Sequence, residues 1–311
     1  MASWQTRCMN LAIRTRMRRR NWGAEQALAR RARRVFGASG LLQWVRTRGV
    51  RIAPADDARV RGEWITAEQS DRGTVLYLHG GGYVAGSAAK WRPITAGLAR
   101  LARRRVFSLD YRLSPEHRFP AALDDAVAAY RWLLDQGVPA RSIAVAGDSA
   151  GGGLTLATLL RARDDGLPLP TCAVCFSPWT DLAGTGESLH RNDGRCATFR
   201  PANIPDFARV YLGDASPLNP YASPVFADLN GLPPILLQVG SIELLLDDAR
   251  RVHDKIRRAG GASRLDVFDG TFHVWQMMDG FVPEARVALE QAAAFMNDQA
   301  PPAKPPATSR P

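Results

Sequence analysis

The chain is short of cysteine, has no long apolar run, and is almost without acid at its amino end. Each shortage excludes something. Of 311 residues only four are cysteines, Cys8, Cys172, Cys175 and Cys196, too few for a disulfide-stapled secreted scaffold. A chain this long buries roughly three quarters of its unfolded surface and needs no such staples. Cys172 and Cys175 have the spacing of metal and redox sites, yet no second pair completes a zinc site. Their setting, Cys-Ala-Val-Cys-Phe, reads as a buried strand whose side chains three apart face opposite ways. No stretch approaches the about eighteen apolar residues of a spanning helix. Arg14, Arg16, Arg18, Arg19 and Arg20 interrupt the only apolar candidate for a secretory leader. A cytoplasmic location is the expectation.

Residues 1–51 hold thirteen arginines against the single acid Glu25, a local balance of +12, which leaves −1 for the rest of a chain totalling +11. The basic character belongs to this segment. An anionic membrane surface or a nucleic acid is one reading of it, an Arg-rich mitochondrial-type transit segment another. The plainest is a solvated helix face over an apolar stripe of Leu11, Met17, Leu28 and Val35. No nucleic-acid partner is expected on that reading, membrane contact would be weak, and a homodimer stays open.

The remainder, in a chain 46% hydrophobic and 23% charged, is that of an ordinary globular protein. From about residue 74, short apolar runs alternate with helical patterns. Strands are expected at 74–78, 106–109, 142–146, 172–176, 235–239 and 264–268. Helices are expected at 120–136, where Leu123, Val127, Tyr130 and Leu134 recur at helical spacing, from the turn after 146 through Arg163, near 248–259, and at 283–298. Such alternation implies an α/β fold, a mostly parallel sheet covered on both faces, whose ligands bind at the carboxyl ends of the strands. Residues 1–50 and an irregular insertion at 181–222 fall outside the rhythm. They carry Trp4, Trp22 and Trp44, and Phe199, Phe207 and Tyr211, and are read jointly as a cap over a catalytic domain spanning 51–300. Residues 301–311, rich in proline, read as a disordered tail.

Two motifs carry chemistry. Gly147-Asp148-Ser149-Ala150-Gly151 falls between an expected strand and an expected helix. A weak hydroxyl nucleophile has to be held exposed on a tight turn, and the glycines allow strand and helix to approach. His79-Gly80-Gly81-Gly82 also follows a strand. Consecutive glycines let a loop turn N–H groups towards a developing oxyanion, and the donors are expected to be the backbone N–H groups of Gly81, Gly82 and Ala150. The base should be a late histidine, and His273, in a loop after the last strand, fits best. His253 falls on a solvated helix face. The acid is expected in the loop after 239, where Glu243, Asp247 and Asp248 are available. Glu243 stands nearest the strand end, with Asp247 the alternative and helix capping the plain role for both aspartates.

With these motifs the chain resembles the bacterial hormone-sensitive-lipase-like carboxylesterases. The resemblance runs from about Val75 to Phe295 and includes Asp110-Tyr-Arg-Leu-Ser-Pro-Glu-His-Arg-Phe-Pro, Ser177-Pro-Trp-Thr-Asp, Ala222-Ser-Pro-Val-Phe and Gly231-Leu-Pro-Pro. It implies a capped α/β-hydrolase fold with eight strands, a Ser149–His273–acid triad, and hydrolysis of short- to medium-chain acyl esters without metal or organic cofactor. The family's Gly-x-x-Asp-x-Leu-x-Asp reads here Gly240-Ser-Ile-Glu243-Leu-Leu-Leu-Asp247, as in acetyl-hydrolase and monoterpene-lactone-hydrolase relatives. Arg112 and Glu116 are expected to brace the active-site loops. Substrate contacts are expected from Trp179, Tyr83, Asp148, Phe199, Tyr211 and Val274. Lactonase or deacetylase action, amide hydrolysis, and a binding protein on an inactive hydrolase scaffold are the rival readings.

Overall fold

The computed structural model describes residues 1–299 apart from Arg19, Asn21 and Asp56, so the expected tail at 301–311 lies outside the described residues. Eight strands form one sheet: β1 (Val50–Pro54), β2 (Gly62–Ala67), β3 (Thr74–Leu78), β4 (Arg105–Leu109), β5 (Ile143–Asp148), β6 (Cys172–Phe176), β7 (Ile235–Gly240) and β8 (Ser263–Phe268). Their order is β1-β2-β4-β3-β5-β6-β7-β8. β2 runs antiparallel to both neighbours and all other pairs are parallel. β3, β5, β6 and β7 are buried along their whole length, as parallel strands covered on both faces must be.

The helices are α1 (Trp4–Ile13), α2 (Glu25–Val35), α3 (Gly40–Arg46), α4 (Arg92–Ala102), α5 (Ala121–Asp135), α6 (Ala150–Asp164), α7 (Ser188–Arg191), α8 (Asn203–Leu212), α9 (Leu246–Arg258) and α10 (Pro283–Asp298). One core layer lies between the sheet and α4 and α10, the other between the sheet and α5, α6 and α9. Cys172 belongs to the first layer and Cys175 to the second, so the pair straddles β6 and its thiols cannot meet. Burial raises both thiol pKa values, that of Cys172 to about 12. Among the described residues no helix is long and apolar enough to cross a membrane.

The segment before β1 is helical, as its pattern implies, with a π-helical turn at Arg14–Arg18 after α1. Contacts along its length bolt it on. Ser3 and Thr6 bond the Glu284 carboxylate at the start of α10. From α2, Arg33 reaches Val84 O, Ser114 O and the Glu116 carboxylate. From α3, Arg46 pairs with buried Asp279. Glu116 thus fastens the cap, whereas Arg112 pairs with Asp125 of α5. The proposed apolar stripe is incomplete: Leu28 is buried but Leu11 is 65% exposed. Trp22 is buried, while Trp4 and Trp44 point to solvent.

The insertion at 181–222 is not irregular, since it holds α7 and α8. Ile204, Phe207, Ala208 and Tyr211 recur at helical spacing and are buried, a pattern masked by the surrounding Gly, Asn and Pro. Its entry is fixed by two carboxylates. Asp181 accepts from Ala183, Gly184 and Thr185 N–H, and Asp248 from Thr180 and Asp181 N–H.

Candidate active site

β5 delivers Ser149 at the carboxyl edge of the sheet. Ser149 has φ 54° and ψ −122°, a conformation an L-residue holds only when its surroundings impose it. They do so through packing: a Cβ on Gly151 would stand 2.0 Å from Leu78 O, and one on Gly147 2.3 Å from Gly151 O. Only glycine on each side of the turn lets α6 begin directly against β3 and β5. The turn lifts the Ser149 hydroxyl clear of the sheet and leaves Ala150 N–H at the first position of α6.

Beyond β8, the loop 269–274 brings His273 back over that edge. Its Nε2 is 2.8 Å from Ser149 Oγ, and its Nδ1 is 2.6 Å from Glu243 Oε2. Glu243 follows β7 and is 1% exposed. Its other oxygen accepts from Ser177 Oγ at 2.8 Å and Gly240 N–H at 2.6 Å. Asp247 and Asp248 take no part. Asp247 accepts from Ser188 N–H and pairs with Arg191, and Asp248 serves the backbone at 180–181. His253 bonds Ser263 Oγ, at the start of β8, through its Nδ1.

The glycine loop after β3 faces the same point. Gly81 and Gly82 have φ of 119° and 63°, and among the described residues no protein acceptor takes the N–H of Gly81, Gly82 or Ala150. The loop is held from behind. Asp148 is fully buried and accepts from Tyr77 OH at 2.7 Å and Gly80 N–H at 3.0 Å. Burial pushes its carboxyl up to about 6, against the pull of those donors. His79 stacks on Tyr111 at 4.3 Å, and burial lowers its pKa, so it packs as a neutral ring.

An apolar cleft of about 990 Å³, counting the space open to solvent at its mouth, runs over Ser149 and His273. Trp179, Phe199 and Val274 line it, and Asp148, fully buried, lies at its floor. Two expected contacts are corrected: Tyr83 and Tyr211 do not line it. They stack on each other at 3.7 Å, both buried, and brace the glycine loop against α8. Asp148 acts beneath the loop. Trp275 is likewise packed away, its indole N–H on Glu284 O. The cap supplies walls that spacing did not reveal: Ile13, Met17, Val35 and Phe36 from the amino end, Ile204 and Phe207 from α8. Ser177 was also missed as a site residue. Besides bonding Glu243, it accepts from Val274 N–H at 3.2 Å; its place at the end of β6 was the available signal. Among the described residues no cluster of His, Cys, Asp or Glu could hold a metal ion.

A family model described as the alpha/beta hydrolase fold matches residues 75–277. The chain belongs to that family. An acetyl-hydrolase of Streptomyces hygroscopicus is 44% identical to it over 248 residues, 79% of this chain and 83% of that protein. An esterase of Acinetobacter venetianus is 37% identical over 79% of this chain and 82% of its own length. A solved esterase from the bacterial hormone-sensitive lipase family superposes with a TM-score of 0.86 at 39% identity, covering 97% of this chain and 100% of that one. The esterase EstE5, soaked with p-nitrophenyl butyrate, superposes at 0.87 with 37% identity, covering 96% and 99%. The likeness to solved members of this α/β-hydrolase family takes in nearly the whole chain, cap included.

Proposed function

We propose that Ser149, His273 and Glu243 are the catalytic triad of this chain, a carboxylic ester hydrolase, and that it takes short- to medium-chain acyl esters. The reading is carried by one observation: an unbroken hydrogen-bonded line from Glu243 through His273 to Ser149, beside three backbone donors with no acceptor among the described residues. His273 Nε2 takes the Ser149 proton as Oγ attacks the ester carbonyl. Glu243 holds Nδ1–H, fixing the tautomer and stabilising the imidazolium. The tetrahedral oxyanion is met by Gly81, Gly82 and Ala150 N–H. His273 returns the proton to the leaving alkoxide, which departs as alcohol. Water then adds to the acyl-enzyme, giving its proton to His273, and collapse frees the acid and restores the hydroxyl.

The apolar lining favours an acyl or alkyl group without charge. The test is a series of p-nitrophenyl esters of rising acyl length. kcat/KM is expected to peak among short and medium chains and to fall once the chain outgrows the space under Phe199 and Phe207. A flat profile, or lactones or acetylated sugars outpacing every simple ester, would overturn the substrate assignment.

A further inference from the structure

Of the ten large apolar side chains that stand exposed among the described residues, six are Met1, Trp4, Leu11, Leu41, Trp44 and Val45. Trp4, Leu41 and Trp44 are 71%, 73% and 59% exposed. Exposed apolar side chains are normally scattered singly, and a concentration of them marks a surface that meets something. All but Met1 belong to α1 and α3, whose chain neighbours reach the cleft. Ile13 and Met17, just past Leu11, and Gly37, just before Leu41, line it. Both helices also rest on the segment that carries His273, through Asn10 Nδ2 to Gly270 O at 2.8 Å and through the Arg46–Asp279 pair.

The same segment holds the chain's excess of positive charge. Arg18, Arg33 and Arg46 pair with Asp193, Glu116 and Asp279, whereas Arg14, Arg16, Arg20 and Arg34 are exposed. Arg20 and Arg34 line a shallow recess that shares Val35 with the wall of the catalytic cleft. The basic patch therefore abuts the mouth.

We infer that this face docks on an anionic lipid bilayer, with Trp4, Leu41 and Trp44 at the headgroup boundary and the exposed arginines on lipid phosphates. Tryptophan and leucine beside arginine are the composition of a helix lying in that boundary. A second copy is disfavoured, because an isologous contact would set one basic segment against another. A nucleic acid would use the arginines and a stacking tryptophan but leave the leucines without a role. Docked in this way, the cleft opens towards esters dissolved in or anchored to the membrane. That consequence rests on the hydrolase reading; the docking does not.

The test uses the S149A protein, so that turnover plays no part, in co-sedimentation with phosphatidylcholine vesicles with and without phosphatidylglycerol. Binding is expected only with phosphatidylglycerol and is expected to weaken with salt. W4A/W44A and R16E/R34E should each lower partition by more than about tenfold, and W4F/W44F should restore most of it. Carried on the active protein, these substitutions should leave kcat/KM on dissolved p-nitrophenyl acetate unchanged, which separates lost docking from lost folding. Equal binding to both vesicles, unchanged binding by either variant, a dimer through this face without vesicle binding, or a preference for single-stranded RNA over vesicles would overturn the inference.

Discussion

Glu243 carries one methylene more than the aspartate of the family pattern, and its carboxylate still meets His273, Ser177 and Gly240. The longer side chain reaches because its backbone turns back at once, Glu243 N–H bonding Gly240 O at 3.1 Å. Asp247 lies one helical turn on and spends its oxygens on Ser188 and Arg191. E243Q should therefore lower kcat on the order of 10³–10⁴-fold, since an amide can set the wrong tautomer. D247N, which alters a partly exposed pair, should cost no more than about threefold. Steady-state kinetics on one p-nitrophenyl ester checks the ranking, and the reverse order would reassign the acid. Ser149 and the glycine loop were legible in the sequence because a tight turn and its glycines are local. Ser177 was not, because its partners Glu243 and Val274 lie far along the chain and meet it only across the sheet edge.

The elements divide in the same way. The central strands and the helices following them declared themselves, since strands buried on both faces are continuous apolar runs. β1 and β2 did not: they lie at or next to the antiparallel edge, are only partly buried, and include Arg51 and Glu63. α4, which follows β3, is the exception: it is only eleven residues long and carries Pro93 and Gly97, both poor helix formers. The cap depends on contacts that no local pattern encodes. Arg18, at the end of the π-helical turn, donates to Phe199 O at 2.8 Å and Cys196 O at 3.1 Å and pairs with Asp193. Phe199 in turn packs edge-on against the His273 ring at 5.5 Å. Arg18 thus ties the amino-terminal segment to the 193–199 stretch beside His273. R18A should loosen the Phe199 wall and raise KM several-fold for the longer acyl esters, with little change in kcat for acetate esters. Equal effects on all chain lengths would show that Arg18 acts on the chemistry instead.

At the scale of the molecule, the sheet puts Ser149, Glu243 and His273 at the carboxyl ends of β5, β7 and β8, and the amino-terminal helices and α8 wall the cleft over them. The architecture was legible because strand–helix alternation admits few topologies. The cleft was not, because its walls come from residues 13–36 and 199–207, distant in sequence. Global stability should carry one signature of this arrangement. Burial raises the Asp248 carboxyl to about 8, with the Asp181 charge adding to the effect. The folded chain thus holds a proton that the unfolded chain releases near its ordinary value. The stability tied to this group is complete at acid pH, falls as pH rises towards 8, and is flat beyond. D248N keeps an acceptor for Thr180 and Asp181 and carries no such loss. The difference in Tm, D248N minus parent, should therefore grow more positive from about pH 5 to 8 and then level off. A difference independent of pH would show that Asp248 is not held protonated.

The most direct test of the whole account is to titrate the protein with a fluorophosphonate, following ester hydrolysis and the intact mass together, and to map the adduct by peptide mass. One phosphonyl group per chain is expected, on the peptide carrying Ser149, with activity lost in proportion and no labelling of S149A. Full hydrolysis by a chain modified at Ser149, or an adduct on any other residue that tracks the loss of activity, would contradict it.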